Sequence, residues 1–432
     1  MRAPTRFASL LSLGLSGFTL VGCGGSSTPS SEAAKATSTA SKDVKSLLEK
    51  ATTSIQKKQW QQALKELGEA IKLDPKCGES YFHRASLLAD AGQAQAALID
   101  FTKAIELLPN DAKLRHTRGY FLMTHKQIDA AIADFTKTIE LNAKHSQAFN
   151  NRGLAWLTKG DKTKANADFD QALTIDPKYV EALINRGFTA FQSGKLKAAL
   201  ADYDRALKIN PDNVNALNNR GLAHFGSEDY ERAAADFSQA IARDRYNAKL
   251  YLERRTCLQK LGREEEAQAD AAKVAWLGRL NELNRTVAQK PKDPNQYVQL
   301  AEHLISGGEQ NVGLASFETA MKVQPAYGKA YSSRAAYWLT QNELDKAIAD
   351  CNRAEQVEPH FEAYSVRGDA YFLKREFDKA LADYQKAKRL DVQVAKAYLH
   401  RAKQRDAAGR EADAAKDRER AYAIEPSLRP EE

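Results

Sequence analysis

The chain has 432 residues, of which 43% are hydrophobic, and its formal net charge is +8 at pH 7. The hydrophobic content is enough for a large buried core. Lys/Arg and Asp/Glu alternate along the whole chain, whereas a nucleic-acid binder more often clusters its basic residues. We therefore interpret the charge as solvated helix faces and expect no nucleic-acid partner.

The first residues have the features of a secretion signal. MRAPTR contains two arginines and no acid, and FASLLSLGLSGFTLV is an apolar stretch of about 15 residues. Such a stretch is too short to span a bilayer comfortably and is typical of a signal peptide. It ends in Leu20-Val21-Gly22-Cys23, which resembles the bacterial lipobox.

The lipobox resemblance implies that residues 1–22 are removed and that a diacylglycerol is attached to Cys23. The protein would then be anchored to a bacterial membrane and face the periplasm or the exterior. Gly24 follows the cysteine, so in a proteobacterium we expect sorting to the outer membrane. The alternative is an ordinary signal peptide cut nearby, which would release a secreted protein.

Residues 23–43 are rich in Ser, Thr, Gly and Ala and contain no large apolar side chain. Such a composition cannot bury a core, so we expect a flexible tether between the lipid and the folded part.

From about residue 44 the chain repeats itself every 34 residues, as in FNNRGLAWL (149–157), LINRGFTAF (183–191) and LNNRGLAHF (217–225). Each repeat predicts two amphipathic helices joined by short turns. Small and aromatic residues recur on one face of the second helix, and proline often ends it. The aromatic residues at position 24 are Phe101, Phe135, Phe169, Tyr203, Phe237, Phe317 and Tyr384.

This pattern resembles the tetratricopeptide repeat (TPR), with small residues at positions 8, 20 and 27, an aromatic near 24 and proline at 32. We count eleven units. The resemblance implies an all-α TPR solenoid, a superhelix in which the first helices line a groove. We expect a subarray of seven repeats at 44–281, a seam insertion at 282–293, four repeats at 294–428 and a tail at 429–432. Because no proline occurs between Glu264 and Gln289, the seventh unit's second helix is expected to run long.

Arginine at position 7 and aspartate at position 23 occur in the same nine units and are both missing from the first and eighth. The arginines are Arg84, Arg118, Arg152, Arg186, Arg220, Arg254, Arg334, Arg367 and Arg401. Joint presence and absence predict a bidentate pair that fixes the angle between the two helices of a unit. The alternative is a basic stripe for an anionic ligand.

Asparagines at position 6, Asn151, Asn185 and Asn219, face the groove by the family geometry. They resemble the asparagine ladder of the O-GlcNAc transferase and kinesin light chain arrays, where each amide pairs with the backbone of an extended peptide. Asn150 and Asn218 lie beside them at position 5. Leu154, Phe188 and Leu222, at position 9, would supply pockets for side chains. The alternative is that these asparagines are only solvated surface.

The sequence predicts no catalytic or cofactor chemistry. Cys77, Cys257 and Cys351 fall in different units and are expected to be buried thiols rather than disulfides or metal ligands. His83 and His116 could touch a metal, but no third ligand suggests itself. The TPR carboxylate clamp needs Lys at position 5, which no unit has.

We therefore expect a non-catalytic, lipid-anchored scaffold of the cell envelope that binds an extended peptide or a partner helix in its groove and takes no small-molecule substrate. Lipidated TPR proteins of this architecture resemble pilus-assembly pilotins and adaptors for cell-wall hydrolases. Two alternatives stay open: an accessory subunit of an envelope enzyme, and a homo-oligomeric structural protein.

Overall fold

A computed structural model of the protein describes residues 31–430, with side chains from residue 42. Within that range all regular secondary structure is helical, as predicted. The helices are α1 (Ser31–Gln56), α2 (Trp60–Leu73), α3 (Gly78–Asp90), α4 (Ala94–Leu107), α5 (Ala112–Thr124), α6 (Ile128–Leu141), α7 (Ser146–Thr158), α8 (Lys162–Ile175), α9 (Val180–Gln192), α10 (Leu196–Ile209), α11 (Val214–Gly226), α12 (Tyr230–Arg243), α13 (Ala248–Lys260), α14 (Glu264–Gln289), α15 (Pro294–Ser306), α16 (Gln310–Val323), α17 (Gly328–Thr340), α18 (Leu344–Val357), α19 (Phe361–Leu373), α20 (Phe377–Lys386), α21 (Val392–Ala407) and α22 (Glu411–Ile424), followed by a 3-10 turn at Pro426–Leu428.

Each odd-numbered helix is the first helix of a repeat and the following even-numbered helix is the second. The turn between them contains a residue with positive φ at position 15 of every repeat. Glycine fills this position in six repeats and a residue with a side chain in the other five, namely Lys58, Lys126, Glu228, Asn342 and Arg375. The left-handed residue reverses the chain within a few residues, which brings the two helices of a unit into contact.

The contact between the two helices depends on small residues, as the sequence predicts. The position 20 alanines are all essentially buried. A Cβ added at Gly153 would lie 2.6 Å from Cε1 of Phe169, and one added at Gly368 would lie 2.6 Å from Cε1 of Tyr384. Glycine at position 8 therefore lets the aromatic ring at position 24 lie directly on the first helix.

The described residues divide into two compact units, 31–271 and 272–430. In the first unit, odd helices touch their odd neighbours from α5 to α13; in the second, α15 touches α17 and α17 touches α19. The division falls inside α14, whose 26 residues run through most of the stretch 282–293. The sequence predicts this long helix correctly.

The C-terminal part of α14 packs in the second unit through a contact that lies outside the repeat pattern. The Trp276 ring stacks on His303 with centroids 5.1 Å apart, and its Nε1 donates to the His303 carbonyl at 3.1 Å. His303 Nε2 lies 2.9 Å from the Trp276 carbonyl. A Cβ at Gly307 would lie 2.2 Å from the indole, so only glycine leaves room for this contact.

Besides α14, helices α1 and α20 differ most in length from the expected pattern. α1 begins at Ser31, so it includes residues whose composition suggests a flexible tether. α20 ends at Lys386 after 10 residues, whereas the other second helices of its unit, α16, α18 and α22, have 14. Lys388 then adopts a positive φ of 53°, and Leu390 is left 78% exposed.

Candidate peptide-binding face

Three successive odd helices of the first unit, α7, α9 and α11, bring the predicted site residues onto one surface. α7 contacts α9, and α9 contacts α11. Because positions 5, 6 and 9 recur in each helix, their side chains fall in register along the stack. We call this surface the amide face; it consists of Asn150, Asn151, Asn185, Asn218, Asn219, Leu154, Phe188 and Leu222.

The asparagines of α7 and α9 are bonded to one another rather than standing free. Asn185 Nδ2 donates to Asn150 Oδ1 at 2.8 Å, and Asn150 Nδ2 donates to Asn151 Oδ1 at 3.3 Å. Asn151 Nδ2 lies 3.0 Å from Nε2 of His116 on α5. The position 5 asparagine, Asn150, is thus a buried link between the position 6 asparagines of two repeats.

The network leaves hydrogen-bonding groups of the position 6 asparagines unused. Asn185 spends one of its two amide hydrogens on Asn150, and its carbonyl oxygen has no partner among the described residues. Asn219 accepts from Asn218 at 3.2 Å, and neither of its amide hydrogens has a partner in the described part of the chain. All three position 6 asparagines are partly exposed. An amide with one free donor and one free acceptor can pair with a peptide unit.

Two buried oxygens, Asn218 Oδ1 on this face and the Tyr203 hydroxyl beneath it, have no hydrogen-bond partner within residues 42–430. Tyr203 occupies the aromatic slot of the repeat that contributes α9, where five other repeats have phenylalanine. Buried polar atoms without a partner are uncommon and costly.

Apolar side chains accompany the amides, and charge is scarce. Phe188 is 37% exposed, and Leu154 and Leu222 are partly buried. The arginines of these helices, Arg152, Arg186 and Arg220, all bind aspartates. The face therefore offers amides and hydrocarbon to a ligand rather than charge.

The predicted Arg–Asp pairs form in all nine units. In each, arginine Nε and Nη2 donate to the two oxygens of the aspartate sixteen residues on, as in Arg152 with Asp168 at 2.9 and 2.7 Å. Asp168 is 5% exposed and Asp383, the partner of Arg367, is 4% exposed. Hydrogen bonds to aspartate raise the pKa of Arg186, Arg220 and Arg367 above its ordinary value. These arginines orient helices and do not form a basic stripe.

The same arginines make a third contact that the recurrence of Arg and Asp alone does not predict. In six of the nine, Nη1 donates to position 25 of the preceding repeat, for example Arg186 to Asp170 at 2.8 Å and Arg152 to Thr136 Oγ1 at 3.1 Å. The same arginine therefore joins the two helices of its own unit and ties that unit to the one before. The recurrence of short polar residues at position 25 (Thr102, Thr136, Asp170, Asp204 and Ser238) was the available signal.

Histidines border the amide face on its N-terminal side. The rings of His116 and His145 lie 4.6 Å apart, and His145 Nδ1 accepts from the Ala148 amide to cap α7. Burial, with a smaller contribution from His145, lowers the pKa of His116 to about 3. Burial also lowers the pKa of His83, to about 4. Among the described residues no group of His, Cys, Asp and Glu has the arrangement of a metal site.

The cysteines within the described range lie as predicted. Cys77, Cys257 and Cys351 are buried and form no disulfide. Burial raises the pKa of Cys257 to about 11 and that of Cys351 to about 12, so their thiols stay protonated at neutral pH.

The predicted lipidation residue, Cys23, lies outside the described residues. Between residues 31 and 430, no helix is both long and apolar enough to cross a membrane.

Stacked helical hairpins of this kind define an α-solenoid. Family profiles described as tetratricopeptide repeat match residues 48–112 and 118–180 and 214–247 and 361–393, and one described as TPR repeat matches 189–228. Together the matched ranges cover about half of the chain. The protein belongs to the tetratricopeptide repeat family.

Several solved structures resemble parts of the chain. One from Parabacteroides merdae ATCC 43184 is 20% identical, with 55% of this chain and 94% of that chain covered and a TM-score of 0.46. YrrB, described as a TPR protein with an unusual peptide-binding site, is 21% identical over 43% of this chain and 94% of its own, with a TM-score of 0.36. PilF of Pseudomonas aeruginosa is 18% identical, with 50% of this chain and 97% of PilF covered and a TM-score of 0.45. No curated protein matches the chain by sequence.

Proposed function

We propose that the protein is a non-catalytic scaffold that holds an extended segment of a partner protein on the amide face. The observation that supports this proposal is a row of unused amide groups on three successive helices. Asn151, Asn185 and Asn219 each keep at least one amide hydrogen without a partner among the described residues, and Asn185 also keeps its carbonyl oxygen. An extended peptide presents alternating N–H and C=O groups at a regular spacing, so a regular row of amides can pair with it without reading its sequence.

The neighbouring side chains would make the binding selective and rigid. Leu154, Phe188 and Leu222 offer apolar contacts beside the amides, where the side chains of a bound segment would lie. Asn150 ties Asn151 and Asn185 together, so less side-chain freedom is lost when a ligand binds.

The test is a comparison of three forms of the full chain in pull-downs from envelope extract. They are the wild type, the triple variant Asn151→Ala, Asn185→Ala, Asn219→Ala, and a control with Asn110→Ala and Asn311→Ala, which are exposed asparagines outside the amide face. We expect a partner that the wild type and the control retain and the triple variant loses. A peptide from that partner should then bind the purified wild type directly. The same partners on all three baits would refute a role for these amides.

We further propose that Cys23 carries a lipid that anchors the scaffold to a bacterial membrane. The support is the apolar stretch and the Leu-Val-Gly-Cys motif that follows it. Wild-type protein should incorporate a palmitate analogue and sediment with membranes, whereas Cys23→Ser should do neither. Cys77→Ser, which removes a buried thiol, is the matched control. Sedimentation of Cys23→Ser with membranes, or no labelling of the wild type, would contradict the anchor.

A further inference from the structure

The last repeat presents a cluster of basic side chains on the face that carries amides in α7, α9 and α11. Lys396, His400 and Lys403 are spaced four and three residues apart on α21, so they share one face of the helix. All three are exposed, and so is Arg375 in the turn between α19 and α20. We call these four residues the cationic face.

The position of the histidine in this cluster is fixed by packing. The His400 ring stacks on Phe377 with centroids 5.2 Å apart and an interplanar angle of 11°. The Phe372 ring meets the same imidazole edge-on at 5.6 Å. The imidazole is thus held between α19, α20 and α21 while its outer side stays exposed.

The basic residues of the cationic face are not neutralised by the protein, unlike their neighbours. Arg401 binds Asp417 and Asp378, and Arg418 binds Asp406. In contrast, Arg375, Lys396 and Lys403 have no carboxylate within 4.0 Å among residues 42–430.

Among residues 42–430, the charged groups that shift the pKa of His400 are all positive. Burial lowers the pKa of this imidazole, and the charges of Lys403, Arg375 and Lys396 lower it further. Lys396 and Lys403 lie about one helical turn on either side of His400 on α21, a spacing at which their side chains can approach one anion together.

We propose that the cationic face binds a short acidic segment of a partner protein, with glutamate or aspartate carboxylates placed among Arg375, Lys396, His400 and Lys403. This site is separate from the amide face and does not rest on the function proposed for that face. It would give the protein a second ligand of different chemistry.

The surroundings favour a short peptide over an extended polyanion. Asp378, whose side chain is 80% exposed, and Asp406, whose side chain is 38% exposed, lie on the same pair of repeats. A nucleic acid or an anionic bilayer would bring phosphates against these carboxylates at a cost in repulsion. A segment with two or three carboxylates could occupy the cationic face alone.

Binding measurements with a defined peptide would test this proposal on the full chain. The probe is fluorescent hexaglutamate, with hexaglutamine as the uncharged control. The variant Lys396→Gln with Lys403→Gln should weaken hexaglutamate binding roughly tenfold, and hexaglutamine should not bind. The matched control is Lys322→Gln with Lys416→Gln, because these exposed lysines also lack a carboxylate partner and lie elsewhere on the second unit. The triple asparagine variant should bind hexaglutamate as the wild type does.

A proton-linked measurement distinguishes this site from general attraction. A bound carboxylate would stabilise imidazolium, so hexaglutamate should raise the pKa of His400, as read by NMR, and bind more tightly at about pH 6 than at about pH 8. His400→Gln should remove most of that pH dependence.

Any of three results would overturn the proposal. They are equal weakening by the two lysine pairs, no change in the His400 titration at saturating peptide, and tighter binding of anionic vesicles or single-stranded oligonucleotides than of hexaglutamate through the same lysines.

Discussion

The same three repeat positions carry different chemistry in the two units. In α7, α9 and α11 of the first unit, positions 5, 6 and 9 hold asparagines and apolar side chains. In α17, α19 and α21 of the second unit they hold Ser332, Ser333, Ala336, Ser365, Val366, Asp369, Leu399, His400 and Lys403. Several of these are bonded within the protein: Ser333 donates to Glu302 at 2.8 Å, and Arg389 Nη1 donates to both oxygens of Asp369 at 2.8 Å.

The framework positions, in contrast, are the same in both units. The Arg–Asp pair and the buried alanine at position 20 occur in each. The repeat therefore separates two tasks: packing positions fix the backbone, and the exposed face of the odd helices is free to vary. Two faces on one backbone suit two different ligands. Variants in each unit would show whether the stability of one unit depends on the other.

The largest expected effect comes from breaking a buried Arg–Asp pair, in either unit. Arg152→Met leaves Asp168 buried without a partner, at a cost of about 3–5 kcal/mol. Arg367→Met should cost more, because Arg367 is more buried and Nη1 also donates to Glu355 at 2.6 Å, whose pKa the arginine helps lower to about 2. Amide hydrogen exchange in α8 and α20 measures each loss locally.

Exposed ion pairs in each unit provide the control. Lys159→Met and Lys374→Met remove partners of the exposed residues Asp129 and Asp345 and should change exchange far less. If the arginine and lysine variants behaved alike, the pairs would not fix helix angles. If Arg152→Met loosened α20 as much as α8, the two units would not be independent.

The next largest effect is a loss of stability at low pH that is expected in the first unit. Within residues 42–430, His116 is the one histidine that is fully buried, and its pKa falls from the ordinary value of 6.5 to about 3. The unfolded chain binds this proton below pH 6.5 and the folded chain does not, so stability is complete above that pH and falls as the pH drops. The limiting slope is about 1.4 kcal/mol per pH unit.

Hydrogen exchange at several pH values would reveal this loss in α5 and α7 before α17 and α19. His116→Gln keeps an acceptor for Asn151 and removes the titration, so the slope in α5 should become shallower. An unchanged slope in that variant would assign the acid sensitivity to other groups of the first unit, such as His83, whose pKa burial also lowers.

The structural features that the sequence predicts are those that recur with the 34-residue repeat. Helices, buried alanines, the contact of Gly153 with Phe169 and the Arg–Asp pairs repeat every 34 residues, so a single alignment of the chain with itself reveals them. The contact of Trp276 with His303 has no such signal, because it occurs once and outside the pattern. The amide network is intermediate: the positions of Asn150 and Asn151 were predictable, but their mutual bonds depend on side-chain rotamers that the pattern does not specify.

A smaller effect is expected from the contact between glycine at position 8 and the aromatic ring at position 24, which occurs within each unit. Gly153→Ala forces a Cβ against Phe169, at a cost of about 1–3 kcal/mol. Gly368→Ala should cost more, because the Tyr384 hydroxyl donates to Asp369 at 2.8 Å and the ring cannot move without breaking that bond. Thermal unfolding followed by circular dichroism measures both. Phe169→Leu should recover part of the stability lost in Gly153→Ala; no recovery would place the strain elsewhere.

The smallest effect tests the turns, which are alike in both units. Lys126 has φ of 61° and Asn342 has φ of 58°. A side chain in the left-handed region costs about 1–2 kcal/mol. Glycine removes this cost, but it also increases the conformational entropy of the unfolded chain, which offsets part of the stabilisation. Lys126→Gly should therefore stabilise the first unit by about 0.5–1 kcal/mol. Asn342→Gly should gain less, because asparagine tolerates this conformation. Equal increases in the free energy of unfolding in urea would mean that the asparagine amide contributes nothing to its turn. A decrease for Lys126→Gly would mean that the lysine side chain stabilises the hairpin by more than its backbone strain costs.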